Sequence, residues 1–208
     1  MKVTKQIILD KATELFNAEG YANVSYRKLA RALDISHSNL IYHFKDKNTL
    51  VEALHDQILN SALAINAEIK QEQDLLKSLL TSTLKGFEVL FNFRFFMIDF
   101  NYILRDNKKL HHTIVQIESL RFSMYEERIN TMIEAGIVRA SQYNGEYDDL
   151  IKRIRVYSDY WISSSYIYDA QPQAEIKEYA RIFMGSFYPY LTSTGRAQFD
   201  QLIKEYGW

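Results

Sequence analysis

Apolar residues recur at three- and four-residue steps along almost the whole chain, the spacing of helices that bury one face. Ile8, Ala12, Leu15 and Phe16 share such a face, with Thr4 placed to cap the helix and Gly20 to stop it. Ser25 precedes a second stretch carrying Tyr26, Leu29, Ala30 and Leu33, and Ser36 precedes a short third one carrying Leu40 and Phe44. Asp46 opens a fourth, in which Val51, Leu54, Ile58, Ala62, Ile65 and Ile69 keep the step. Further helical segments are predicted at roughly 74–93, 94–105, 108–135, 147–170 and 174–206. Asp106-Asn107, Gly136, Asn144-Gly145, Pro172 and the run from Thr192 to Gly195 separate them, and Pro189 and Gly195 predict that the last is two helices. No repeat, low-complexity tract or strand hairpin interrupts the pattern. It predicts an all-α fold in three parts. Residues 1–46 form a three-helix head, 47–73 a connecting helix, and 74–208 a larger helical body.

Composition narrows the possible chemistry. The chain has 208 residues, is 47% hydrophobic and 25% charged, and contains only 7 Gly and 2 Pro, which suits long helices around a sizeable core. With no cysteine, disulfides, thiol catalysis and thiolate metal sites are excluded. No segment reaches the length of an apolar membrane span, and the N-terminus leads into an amphipathic stretch rather than a signal peptide, so a cytoplasmic protein is expected. The net charge is −1, but it is unevenly spread. The first fifty residues are net basic and the remainder net acidic, an arrangement that suits contact with phosphate at one end.

Three short helices joined by tight turns form a helix-turn-helix when the third presents its first side chains to the major groove. Leu40 and Phe44 lie four apart and face inward. His37, Ser38, Asn39, Tyr42 and His43 are left outside as hydrogen-bonding or stacking groups. Asparagine can bond adenine through two bonds, and serine can bond several base edges. Arg27, Lys28 and Lys47 lie close by in sequence for phosphate contacts, which position a protein without specifying a base.

The stretch from Ile8 to Leu54 resembles the TetR family of bacterial regulators. The residues that carry the resemblance are Ile8-Leu9-Asp10-Lys11-Ala12, Leu15-Phe16, Glu19-Gly20-Tyr21, Val24-Ser25, Leu29-Ala30, Ile35-Ser36, Leu40, Tyr42-His43-Phe44, Lys47 and Leu50, in order and without a gap. The resemblance implies that Ser25, Tyr26 and Arg27 touch DNA at the start of the second helix. It implies that His37, Ser38 and Asn39 face bases, that Tyr42 and His43 pack on sugar-phosphate, and that Lys47 contacts phosphate. Two positions depart from the family. Ile41 stands where a tyrosine is usual, so that either a phosphate contact passes to Tyr42 or Ile41 touches a thymine methyl. Asp34 stands where a turn glycine is usual, a position aspartate tolerates better than most residues.

The body carries most of the aromatic side chains and both tryptophans. Phe87, Phe91, Phe95, Phe96, Phe100 and Tyr102 cluster in sequence, followed by Phe122, Met124 and Tyr125 and then by Tyr157, Tyr160, Trp161, Tyr166 and Tyr168. Such residues serve as ordinary core or line an apolar cavity with a few polar handles. By the resemblance, Phe87, Phe91, Phe95, Phe100, Tyr102, Phe122, Tyr125, Tyr160 and Trp161 are candidates to bind a small hydrophobic or aromatic effector. No cofactor or metal is expected. A short recognition helix reads few base pairs, so a homodimer on double-stranded operator DNA is expected. The family pairs through its last long helices, which makes Ile162, Ser165, Tyr166, Phe183, Phe187 and Tyr190 the candidate interface, with an intrachain core as the alternative. Repression released by ligand is the expected output, and activation is the alternative.

Two other classes compete. An enzyme finds no support: His37, His43, His55, His111 and His112 form no H-E-x-x-H motif, and no glycine cluster forms a phosphate loop. A helical protein-interaction module without DNA readout would explain the body but not the ordered head.

Overall fold

Every side chain expected to cap a helix in the head does so in the computed structural model, which describes residues 3–173 and 175–208. Thr4 Oγ1 accepts from the Ile7 amide at 3.3 Å, starting α1 (Lys5–Glu19). Ser25 Oγ accepts from Lys28 at 3.2 Å, starting α2 (Tyr26–Ala32). Ser36 Oγ accepts from Asn39 at 3.1 Å, starting α3 (His37–His43). Asp46 Oδ1 accepts from both the amide and the hydroxyl of Thr49 at 2.8 Å, ahead of α4 (Lys47–Ile69), and these bonds hold its carboxyl below the usual range. Asp34 turns the chain between α2 and α3 with φ 52°, the one non-glycine in the left-handed region among the described residues. Each helix start is thus satisfied by its own neighbour in sequence.

The remaining elements are α5 (Leu75–Asn92), α6 (Arg94–Ile98), α7 (Phe100–Asp106), α8 (Lys108–Glu134), α9 (Glu146–Tyr168), α10 (Ile176–Gly185), a 3₁₀ turn (Tyr188–Tyr190) and α11 (Ser193–Glu205). The segment expected to be one helix near 94–105 is broken at Asp99, whose carboxylate is drawn to the Tyr21 amide at 2.7 Å. Ala174, the expected start of the last segment, lies outside the described residues.

The chain divides into two compact units. One comprises Met1–Leu63 with Val89–His112, the other Ala64–Glu88 with Thr113–Trp208. This differs from the three-part division expected at residues 46 and 73, because residues 89–112 pack on the head. The core of the first unit joins Ile8, Ala12, Phe16, Leu29, Leu40, Phe44, Leu50 and Leu54 with Phe95, Phe96 and Ile103. The core of the second unit is built from Leu76, Leu79, Leu80, Phe87, Met132, Leu150, Ile154, Trp161, Ile162, Phe183, Met184 and Phe187.

Long-range contacts fix the second unit. Val138 and Leu191 form an isolated antiparallel bridge, and beside it the Arg139 amide donates to the Tyr190 carbonyl at 2.9 Å; more locally, the Arg139 guanidinium holds Glu146 through two bonds of 2.6 and 2.9 Å. Gly195, expected to interrupt a helix, instead lies inside α11, its amide bonded to Thr192 Oγ1 at 3.1 Å. A Cβ at this position would lie 2.1 Å from the Ile137 carbonyl oxygen, so only glycine lets α11 approach that backbone.

Candidate nucleic-acid interface

Leu40 is fully buried and Phe44 nearly so, and together they fix which side of α3 faces the core. At 100° per residue the opposite side carries Ser38 and Tyr42 at its centre, with Ile41 and His37 on one flank and Asn39 on the other. Tyr42 is 85% exposed, the most exposed large hydrophobic side chain among the described residues. His37, Ser38, Asn39 and Ile41 are also exposed, and His43 is half-buried with its ring edge-on to Tyr42 at 5.3 Å. The third helix therefore presents hydroxyl, amide, imidazole and phenol groups together on one convex face, the chemistry needed at base edges and sugar-phosphate.

The helix supporting this face is braced from beneath. Tyr26 donates its hydroxyl to the Phe44 carbonyl, and its ring stands edge-on to His37 at 6.0 Å. Burial pushes the Tyr26 phenol above the usual range, so it remains a proton donor. Ser25, expected to touch DNA, spends its hydroxyl on the α2 cap. Arg27, Arg31 and Lys45 stand exposed around the head, whereas Lys28 is paired with Glu19.

Lys47, expected to contact phosphate, packs against the head within this chain. Its ammonium donates to the Tyr21 carbonyl, 3.7 Å from the centre of the Tyr21 ring and 5.3 Å from that of Phe16. Burial lowers its pKa to about 8 against the opposing pull of Asp99. The half-buried ammonium thus packs against two rings and a carbonyl of the head.

Sequence reasoning missed the polar side chains that tie the head to residues 92–110. Asn17 donates to the Asn92 carbonyl at 2.7 Å and accepts from the Phe95 amide at 3.0 Å, using both ends of its amide at the α5–α6 break. Asp99 holds Tyr21 at the α6–α7 junction. Asn107 donates to Glu52 at 3.1 Å and accepts from Leu110 at 3.0 Å at the start of α8. Apart from the local Asn107–Leu110 bond, their partners lie more than fifty residues away, and no local pattern marks them.

The nine aromatic candidates for effector binding do not all belong to one unit. Phe91, Phe95, Phe100 and Tyr102 lie in the first, where Phe95 packs on Phe16 of the head at 5.0 Å and Tyr102 stands edge-on to Tyr21 at 6.1 Å. Phe91 and Phe95 are buried in the core of that unit, Phe100 is half-buried and Tyr102 is exposed. Phe87, Phe122, Tyr125, Tyr160 and Trp161 lie in the second unit. There Phe87 and Trp161 stack at 4.8 Å with 16° between planes, beside Tyr157, Tyr179 and Phe183. Tyr157 donates to the Tyr179 carbonyl at 2.8 Å, and Tyr179 donates to Asp169 at 2.8 Å.

The candidate interface residues divide by burial. Ile162, Ser165, Phe183 and Phe187 are buried within a single chain and present no surface to a second one. Ile162 and Ser165 sit on the inward phase of α9 and Phe183 on that of α10, while Phe187 lies just beyond α10. Tyr190 is half-buried and accepts from Arg153, while Tyr166 is exposed.

The description "Bacterial regulatory proteins, tetR family" matches residues 8–54, and "Bacterial transcriptional repressor" matches residues 55–199. The chain is 40% identical over 55 residues to the probable HTH-type transcriptional regulator YttP of Bacillus subtilis (strain 168), across 26% of this chain and 27% of that protein. It is 36% identical over 58 residues to the tetracycline repressor protein class D of Escherichia coli, across 28% of this chain and 27% of the repressor. The chain thus spans little more than a quarter of the length of these curated relatives in the matched region. The crystal structure of a TetR-family transcriptional regulator from Marinobacter aquaeolei VT8 has the same fold, with a TM-score of 0.85, 21% identity and 99% of each chain covered.

Proposed function

The chain belongs to the TetR family of bacterial regulatory proteins, and from that membership we propose that it is a homodimeric, sequence-specific repressor released from its operator by a small apolar or aromatic molecule. The observation that carries this reading is α3, whose outward face holds Ser38, Asn39 and Tyr42 while Leu40 and Phe44 anchor it from below. Exposed Arg27, Arg31 and Lys45 supply the non-specific attraction to phosphate. The reading assigns the protein a binding role in the cytoplasm and no reaction. It invokes no metal, and no His/Asp/Glu group suited to one occurs among the described residues. No helix among them is long and apolar enough to cross a membrane.

The effector is expected among the stacked rings of the second unit, where Phe87 and Trp161 offer flat apolar surface and Tyr157 and Tyr179 offer hydroxyls. The partner subunit is expected on the outward phase of the second half of α9, where Val156, Tyr160, Tyr166 and Ile167 are exposed beside half-buried Ser163 and Ser164. The helices α4, α5 and α8 each contribute residues to both units, so the chain itself connects sensor and reader. The effector shifts the DNA-binding equilibrium only as far as it prefers one of the two states.

Alanine at Asn39 and at Tyr42 tests the reading. Both variants keep their helical circular dichroism and lose affinity for the protein's own promoter. Unchanged promoter affinity in both would overturn the assignment of α3 as the reader.

A further inference from the structure

Ile41 is the one apolar side chain on the outward side of α3, and it is 41% exposed. It cannot join the core through its own helix: it lies 100° around the axis from Leu40 and 60° from Ser38, on the flank shared with His37. Everything around it on that face can hydrogen-bond. When such a face meets a major groove, the isoleucine is desolvated along with its neighbours. The groove then offers it one apolar partner, the methyl of thymine. At a C·G or G·C pair the same side chain would cover an amine or the purine acceptors without satisfying them, which is unfavourable in a closed contact. The β-branched side chain is also stiff at χ1, so little freedom is lost when it is fixed against a methyl.

From this placement we infer that Ile41 sets base specificity: it requires a thymine in each operator half-site and recognises it through the methyl group. The inference rests on the DNA-reading assignment of α3 and adds the base class that one residue selects. Ser38 and Tyr42 lie nearest the outward centre, so the thymine read by Ile41 sits to one side of the pairs they face. Neighbouring thymines at other positions of the half-site are insensitive to loss of their methyls.

The test starts with the full-length protein and selection of its operator from random-sequence duplex DNA. Each dT of the selected half-site is then replaced singly by dU, which removes the methyl and keeps the Watson–Crick edge. Binding is measured for the wild type, Ile41→Val and Ile41→Ala. The wild type loses affinity by about four-fold at one thymine per half-site, the size of one buried methyl. Ile41→Val shows a smaller loss at the same thymine, and Ile41→Ala binds dT and dU there equally. Thermal unfolding of each variant separates a folding defect from a binding one. Tolerance of dU at every position overturns the inference, and so does a wild-type loss that persists in Ile41→Ala. In both cases a selected operator still stands for the DNA-reading assignment. Selection that enriches no sequence overturns that assignment and the inference with it.

Discussion

The reading head and the aromatic unit are built from the same kind of element under different constraints. In the head, Thr4, Ser25, Ser36 and Asp46 each satisfy an amide three residues on, so every helix start is fixed by its immediate neighbours. In the second unit the helices are held by contacts across the chain: Phe87 on Trp161, Val138 on Leu191, and Gly195 against Ile137. The head exposes its functional groups on a local scaffold, and they can change without loss of fold. The second unit commits Phe87, Trp161 and Phe183 to packing, so there the stacked rings proposed to meet an effector also hold the fold.

The comparison breaks most readily at Trp161. Replacing this buried, stacked ring by alanine is expected to cost about 3–5 kcal/mol of unfolding free energy, measured by urea denaturation. A cost under about 1 kcal/mol would mean that the rings form a loosely packed lining rather than a core. Next comes Gly195→Ala, which pushes a methyl into the Ile137 carbonyl and is expected to cost about 1–3 kcal/mol. An unchanged urea midpoint would contradict the close approach of α11. In the head, Ser36→Ala removes one cap and costs about 1 kcal/mol, whereas Tyr42→Ala changes stability by under about 0.5 kcal/mol while weakening DNA binding. A Tyr42 variant that unfolds would erase the distinction between the outward face and its scaffold.

A pH-dependent effect concerns Lys47. Folded, its amine releases its proton near pH 8, below the ordinary 10.5, because it is partly removed from water. Between those values the unfolded chain binds more protons, so the lysine contributes stability that grows as pH rises through this window. Measured at pH 7.5 and 9.5, the wild type should gain stability relative to Lys47→Met, about in step with loss of that proton. Parallel changes in the two proteins would return Lys47 to the solvent side of the head.

The sequence made the head legible down to individual caps, because a cap and its amide lie within four residues. Asp34 could be expected in a left-handed turn because the resemblance puts a turn glycine at its position, and the structure has it there at φ 52°. Breaks and buried phases that depend on distant partners could not be read. Asp99 ends a helix because the Tyr21 amide attracts its carboxylate from 78 positions away. Gly195 looks like a helix interruption in sequence, yet it is a contact surface for a backbone 58 positions earlier. Ile162, Phe183 and Phe187 are apolar on a periodic helix, and periodicity does not say whether their face meets the same chain or a second one. The structure places all three in the core.

The central claim is that α3 reads sequence, and the ratio of two affinities tests it most directly. Purified protein is titrated, at one moderate salt concentration, with DNA from its own promoter and with random duplex of equal length. The account predicts promoter binding tighter by about 10³-fold or more. Equal affinities, falling together as salt rises, would reduce the head to a basic surface and contradict it.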